Sequence, residues 1–254
     1  MKIISLGNSF SDDATYYAHR ILASMGYGDT EMGNLYIGGC DLKTHLQNLI
    51  EERPLYEYRT PASGEELWRT AMETNAREAF FSRAWDVVTL QQQSADSGKP
   101  ETYQPYLNGI LREATDLCPQ AKIYWLMTWA YQSDSDLPRF AEFDRNQQKM
   151  YNAITDAVQK IILPHPAISG IVPLGTAIQN ARTSSWGDTL TRDGFHLSMD
   201  KGRYVAALAY VACLTGYDIT KATFLPEGLT ENDRAIALAA VQAAITTPFA
   251  VTKL

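Results

Sequence analysis

The sequence predicts an α/β protein of three layers, with a central, mostly parallel sheet of five strands covered by helices on both faces. Two observations carry this expectation. Five short apolar or β-branched runs bounded by breakers recur along the chain, at residues 2–6, 34–37, 86–90, 122–127 and 170–174. Between them lie segments with apolar residues at helical spacing, and strands alternating with helices of this length form βαβ units on a parallel sheet. The 254 residues are 45% hydrophobic and 20% charged, an ordinary globular composition. No stretch reads as a linker, an internal repeat or a low-complexity tract, so residues 1–254 are expected to form a single domain.

The elements follow in order. "KIISL" (2–6) is the first strand, and "DATYYAHRILASM" (13–25) places Tyr16, Ala18, Ile21 and Leu22 on one helix face before stopping at Gly26. "NLYI" (34–37) leads to a helix over "LKTHLQNLIEE" (42–52). "RPLYEYRTPASGEELW" (53–68) breaks the alternation and reads as an inserted loop or small hairpin. "DVVTL" (86–90) precedes a helix over 102–117 that ends before Pro119, and "KIYWLM" (122–127) precedes a long one over 141–163 that ends before Pro164. "GIVPL" (170–174) is the fifth strand. "KGRYVAALAYVACLTG" (201–216) is apolar on most sides and is expected to be buried, with a final helix over 230–245 packed on the body.

Charge and cysteine content narrow the function. Lys and Arg number 22 against 29 Asp and Glu, a net charge of −7, and a nucleic-acid binder carries a basic excess instead. The balance favours neutral or cationic small molecules, or glycans. Cys40, Cys118 and Cys213 are odd in number and show no CxxC pairing, which argues against a disulfide framework or a zinc site. No run approaches the ~18 apolar residues of a membrane span, and no signal-peptide core follows Lys2, so the sequence as written is that of a cytoplasmic protein. A trimmed leader would make it secreted or periplasmic instead.

In an open parallel sheet, ligands bind beyond the carboxyl ends of the strands. The four tips there, "GNSFSDD", "GGCD", "QQQSADSG" and "TWAYQSDS", are rich in Ser, Asn, Gln and Gly and hold no Lys or Arg. With no GxGxxG or P-loop pattern either, a phosphate cradle is not expected. Of four histidines, His19 and His45 fall within helices and His165 between two prolines. His196, in "TRDGFHLSMDKG", has Asp193 three residues before it and Gly194 between. An Asp at that spacing reaches Nδ1 and leaves Nε2 free to face a serine. Taken alone, D-x-x-H is also what a histidine capping a turn would give. Ser9 has its own alternative, since Ser and Asp cap helices; Ser11 or Asp12 serves that purpose and leaves Ser9, nearer the strand end, for chemistry. A metal site from Asp12, Asp13 and His19 is a rival, though capping and the helix dipole account for the acidic pair.

Together these blocks resemble the SGNH (GDSL-type) hydrolases, from residue 2 to about residue 216. "SLGNS" matches the family's first block and "RDGFHLS" its last, and the resemblance implies Ser9 as nucleophile, His196 as base and Asp193 as its orienter. "YIGGCD" resembles the second block and implies an oxyanion contact from the Gly39 N–H. The third block departs: laid against the family pattern, "DVVTLQQQSAD" has Ala95 where an Asn is expected. If the strand continues, Gln91, Gln93 and Ala95 share a face. Gln93 is then the expected substitute donor, and Gln92 serves if the strand bulges. The chain is most similar to an uncharacterised branch with a GNSFS first block and a Gln-rich third block. The fold implied is the flavodoxin-like one of that family. The activity implied is hydrolysis of short acyl esters, with O-acetyl groups on a carbohydrate preferred, without metal or organic cofactor. Trp129, with Trp125 and Trp186, offers an aromatic platform for a sugar ring or, equally, a core side chain. The alternative function is a catalytically silent glycan-binding domain on the same fold.

Overall fold

The computed structural model describes residues 1–61 and 68–254. Its sheet has seven strands rather than five, in the order β4-β3-β2-β1-β5-β6-β7. The five expected strands are β1 (Lys2–Gly7), β2 (Glu31–Tyr36), β5 (Val87–Leu90), β6 (Lys122–Leu126) and β7 (Gly170–Val172), paired in parallel throughout. The two additional strands come from the insertion: β3 (Tyr56–Pro61) runs antiparallel to β2, and β4 (Trp68–Thr74) antiparallel to β3. The hairpin reading of 53–68 therefore holds where the chain is described, while residues 62–67 lie outside the described residues. β4 was not anticipated because its side chains are nearly all exposed, and a solvated edge strand carries no buried face to set a period.

The chain moves from β1 outward to β2 and then returns to the other side of β1 to place β5. β1 is thus the topological switch point, where a crevice opens at the carboxyl ends of the strands. Right-handed crossovers to the two sides send helices to opposite faces. One face carries α1 (Ser9–Thr15), α2 (Ala18–Ser24), α7 (Leu174–Arg182), α8 (Lys201–Thr215) and α9 (Glu231–Thr246), packed on one another. α3 (Leu42–Ile50), α4 (Ala76–Phe81) and α5 (Tyr106–Leu117) form a second group. α8 is the buried helix its composition suggested, and its Tyr210 hydroxyl lies 2.9 Å from Ser5 of β1.

α4 lies outside the expected helices, and three further segments depart from expectation for local reasons. The segment 13–25 is two helices, and the first starts at Ser9 because Asn8, not Ser11 or Asp12, is the cap: its Oδ1 accepts the Phe10 N–H at 3.0 Å. The break falls at Tyr16 and Tyr17, whose side chains engage the Arg203 guanidinium and the Met199 carbonyl. Within 141–163, Asp144 and Arg145 adopt left-handed backbone, so α6 (Gln147–Ala157) begins only after the Asn146 cap. α7 was missed because every one of its side chains is buried, which erases any apolar stripe. No helix among the described residues is long and apolar enough to cross a membrane.

One buried group on this frame makes a measurable prediction. His45 of α3 is fully enclosed, with Nδ1 2.9 Å from the Tyr56 hydroxyl, and burial pulls its pKa from 6.5 down to about 4. The unfolded chain binds a proton there near pH 6.5 that the native ring refuses until about pH 4. Stability is therefore complete above that window and falls as pH drops through it, by about 3 kcal/mol in all. Urea unfolding at a series of pH values should show this loss, and a His45→Gln variant should flatten the slope there. An unchanged slope would place the acid sensitivity elsewhere.

Candidate active site

The site grows from the end of β1. Gly7 has no room for a side chain, since a Cβ there would sit 2.5 Å from Ser11 Oγ and 3.2 Å from the Gln91 carboxamide carbon. Asn8 then ties three strand tips together. Its Oδ1 accepts Gln91 Nε2 at 2.7 Å as well as the Phe10 N–H, and its Nδ2 donates to the Cys40 carbonyl at 3.0 Å. This fixes the turn that delivers Ser9 as the first residue of α1, at the switch point of the sheet. Ser11, by contrast, is buried, with Oγ 2.8 Å from both the Asn8 carbonyl and Asn34 Oδ1.

Across the crevice the segment before α8 forms a tight turn, closed by a bridge between Thr191 and Leu197 and reversed at Gly194 with φ +88°. A Cβ at Gly194 would also lie 2.8 Å from Ser135 Oγ, so glycine is required there for space as well as for backbone angle. The turn folds Asp193 onto His196: Oδ1 accepts the His196 N–H at 2.8 Å and Oδ2 lies 2.6 Å from His196 Nδ1. His196 Nε2 in turn lies 2.8 Å from Ser9 Oγ. Burial works to raise the Asp193 carboxyl, but hydrogen bonds from the His196 ring and from the His196 and Phe195 N–H groups outweigh it and hold the acid below its ordinary value. The turn is supported from below, as the Gln132 N–H donates to the Gly194 carbonyl at 2.8 Å and Trp129 Nε1 to the Phe195 carbonyl at 2.7 Å.

A cleft of about 240 Å³ opens over Ser9 and His196, walled by Tyr36, Gly38, Gly39, Gln93 and Phe195. Gly39 turns the chain there with φ +65°. Gln93 has its Oε1 occupied by the N–H groups of Ala95 at 2.9 Å and Asp96 at 3.2 Å. β5 ends at Leu90, so the side-chain alternation expected for Gln91, Gln93 and Ala95 does not continue; Gln91 is buried under Asn8 and Ala95 in the following turn. Gln92 does not face the cleft. It is 1% exposed, with Oε1 accepting from Leu42 and Gln93 and Nε2 donating to Thr102.

Trp129 is not an open platform either. Its ring is 0% exposed and stacks on Phe10 with centroids 4.1 Å apart and an 11° tilt. Trp125 and Trp186 are also buried, the latter with Nε1 2.8 Å from Asp233. Of the aromatic residues lining the cleft, Tyr36 and Phe195 stand within the second and last blocks but were given no role there. Nor do Asp12, Asp13 and His19 assemble. Asp12 pairs with Arg59 at 2.6 Å, and Asp13 with Arg203 at 2.7 Å and Arg192 at 3.0 Å. His19 lines a separate cleft of about 1040 Å³ with Glu31 and Met32, at the amino ends of the strands. Among the described residues no group of three or more His, Cys, Asp or Glu is placed to hold a metal ion.

Solved structures of a GDSL-like lipase and of an esterase share this fold. A candidate GDSL-like lipase from Parabacteroides merdae superposes with a TM-score of 0.55 at 13% identity, over 85% of this chain and 95% of that one. A variant of an acetyl-xylooligosaccharide esterase from Geobacillus Stearmophilus does so with a TM-score of 0.54 at 14% identity, over 86% and 95%. The chain itself belongs to the DUF4886 family, a domain of unknown function whose pattern matches residues 2–244. A DUF4886 protein from Bacteroides uniformis superposes with a TM-score of 0.93 at 36% identity over 100% of this chain and 98% of that one. No curated protein matches the sequence.

Proposed function

We propose that this protein is a serine esterase that removes short acyl groups, with Ser9 as nucleophile, His196 as base and Asp193 as the group that orients and charges-balances the imidazole. The observation that carries this reading is the unbroken relay of 2.8 Å from Ser9 Oγ to Nε2 and 2.6 Å from Nδ1 to Asp193. His196 takes the hydroxyl proton as Ser9 Oγ attacks the ester carbonyl, and returns it to the departing alcohol. Asp193, held as a carboxylate by its hydrogen bonds, stabilises the imidazolium formed between those steps. The N–H groups of Ser9 and Gly39 and the Gln93 amide nitrogen serve the developing oxyanion, each such donor being worth ~3 kcal/mol in the transition state. Water, activated by the same histidine, then releases the acid. The reaction needs no metal or organic cofactor.

The substrate follows from the size and walls of the cleft. About 240 Å³ is below the ~300 Å³ at which drug-sized pockets begin, which suits an acetyl group better than a long acyl chain. Tyr36 and Phe195 line it, and a sugar carrying the ester would pack against them. An acetyl-xylooligosaccharide esterase of the same fold is consistent with that class of substrate.

The test is labelling with a serine-reactive fluorophosphonate followed by peptide mapping, alongside hydrolysis of p-nitrophenyl acetate and butyrate with a chelator present. Labelling at Ser9 with acetate preferred is the expected result, and O-acetylated oligosaccharides would be screened next. A folded protein that neither labels nor hydrolyses any ester would be a silent glycan binder instead.

A further inference from the structure

We propose that Asp13 is a positioning residue that sets the distance between Ser9 and His196 by fastening the histidine turn to the helix that carries the serine. This rests on the esterase reading for its role in catalysis, but the tether itself does not. Asp13 stands four residues after Ser9, one turn further along α1, so the two side chains project from the same side of the helix. It is a charged residue with 0% exposure, and a carboxylate is buried only where donors replace its water. Three donors do so. Oδ2 accepts the Leu197 N–H at 2.8 Å, while Oδ1 lies 3.0 Å from Arg192 Nη1 and 2.7 Å from Arg203 Nε.

The identity of those donors gives the group its purpose. Arg192 and Leu197 bracket the D-G-F-H turn at its two ends, and the Arg192 guanidinium also bonds the Leu197 carbonyl. Arg203 belongs to α8, and its guanidinium covers the Tyr16 ring with the central carbon 4.1 Å from the centroid. One carboxylate thus joins the serine helix, both ends of the histidine turn and the buried helix behind them. Reacting groups must be held close to hydrogen-bond geometry, and a misplacement of about 1 Å costs on the order of 10²-fold in rate. Two elements that meet from opposite ends of the chain need such a strut, because the Ser9–His196 bond alone is too weak to hold them in register.

The experiment compares Asp13→Asn with wild type as the full-length chain. The amide keeps the size of the side chain but turns an N–H₂ toward donors. Two readouts are taken: kcat and KM for p-nitrophenyl acetate, normalised to phosphonate-titrated sites, and the low-field proton NMR signal of His196 Nδ1–H against Asp193. We expect kcat to fall by about 10- to 100-fold with KM within about twofold, and the His196 signal to broaden or shift. An Asp13→Asn protein with wild-type kcat per titrated site and an unmoved signal would overturn the proposal, whatever its melting temperature, because that is what a purely stabilising ion cluster predicts. If Asp13→Asn does not fold, Arg192→Met carries the same comparison from a side chain that is 33% exposed. If wild type neither labels nor hydrolyses esters, the proposed activity fails, and the NMR signal alone decides whether the tether exists.

Discussion

Ser9→Ala should lower chelator-resistant hydrolysis of p-nitrophenyl acetate by about 10⁴-fold or more, with little change in folding. The hydroxyl sits 2.8 Å from His196 Nε2 and lines the cleft, and removing it takes away the proposed nucleophile while leaving the backbone donors in place. His196→Ala should cost a similar factor, and the double variant little more than either, since residues that act as one unit lose their effect together. Ser11→Ala is the control. Its hydroxyl is sealed against Asn34 and the Asn8 carbonyl, so that substitution should register in stability and leave labelling of Ser9 intact. Activity that survived Ser9→Ala would remove the relay from the mechanism altogether.

Trp129→Ala should be the most damaging single change to the fold around the site. A fully buried indole stacked on Phe10 is lost, at about 3–5 kcal/mol. For a domain of this size that corresponds to a fall in Tm of roughly 6–20 °C, measurable by calorimetry. Trp129→Phe separates packing from positioning. It retains most of the apolar contact but drops the 2.7 Å bond from Nε1 to the Phe195 carbonyl, one residue before His196. The expected outcome is a Tm between those of wild type and the alanine variant, with turnover reduced more than stability alone would require. Equal Tm values for Trp129→Phe and wild type, with equal turnover, would show that the indole N–H does nothing for the histidine turn.

The parallel core of the sheet was legible because buried strands are apolar runs with breakers at each end, a pattern that survives without knowledge of what packs on them. Ser9, Asp193 and His196 were legible for a different reason: each had a capping explanation of its own, but their two blocks stand in order at opposite ends of the sequence, and in the structure they meet at hydrogen-bond distance. What surrounds them was not legible. Gln92 was offered to the cleft only for a bulged strand and Trp129 as a sugar platform, and after Leu90 and Leu126 the chain turns both inward, Gln92 onto Leu42 and Thr102 and Trp129 onto Phe10. Asp13 reads as one of two acids at a helix start, since its real partners, Arg192 and Arg203, lie about 180 positions away and nothing local announces them. Tyr36 ends an ordinary strand, and only the tertiary arrangement brings it to the cleft that Ser9 lines. Asn8 and Gln91 show the same limit: each belongs to a quoted motif, but the bond joining them depends on β1 and β5 being neighbours.

The serine and the histidine that meets it are separated by 187 positions. A ribosome makes the serine well before the histidine, so the emerging polypeptide carries a serine without its partner until the residues between them have been added. Neither the first half nor the last quarter of the chain can form that contact by itself. The pairing is consequently a late event in the life of each molecule, and its presence certifies that the sheet between its two partners has already closed up.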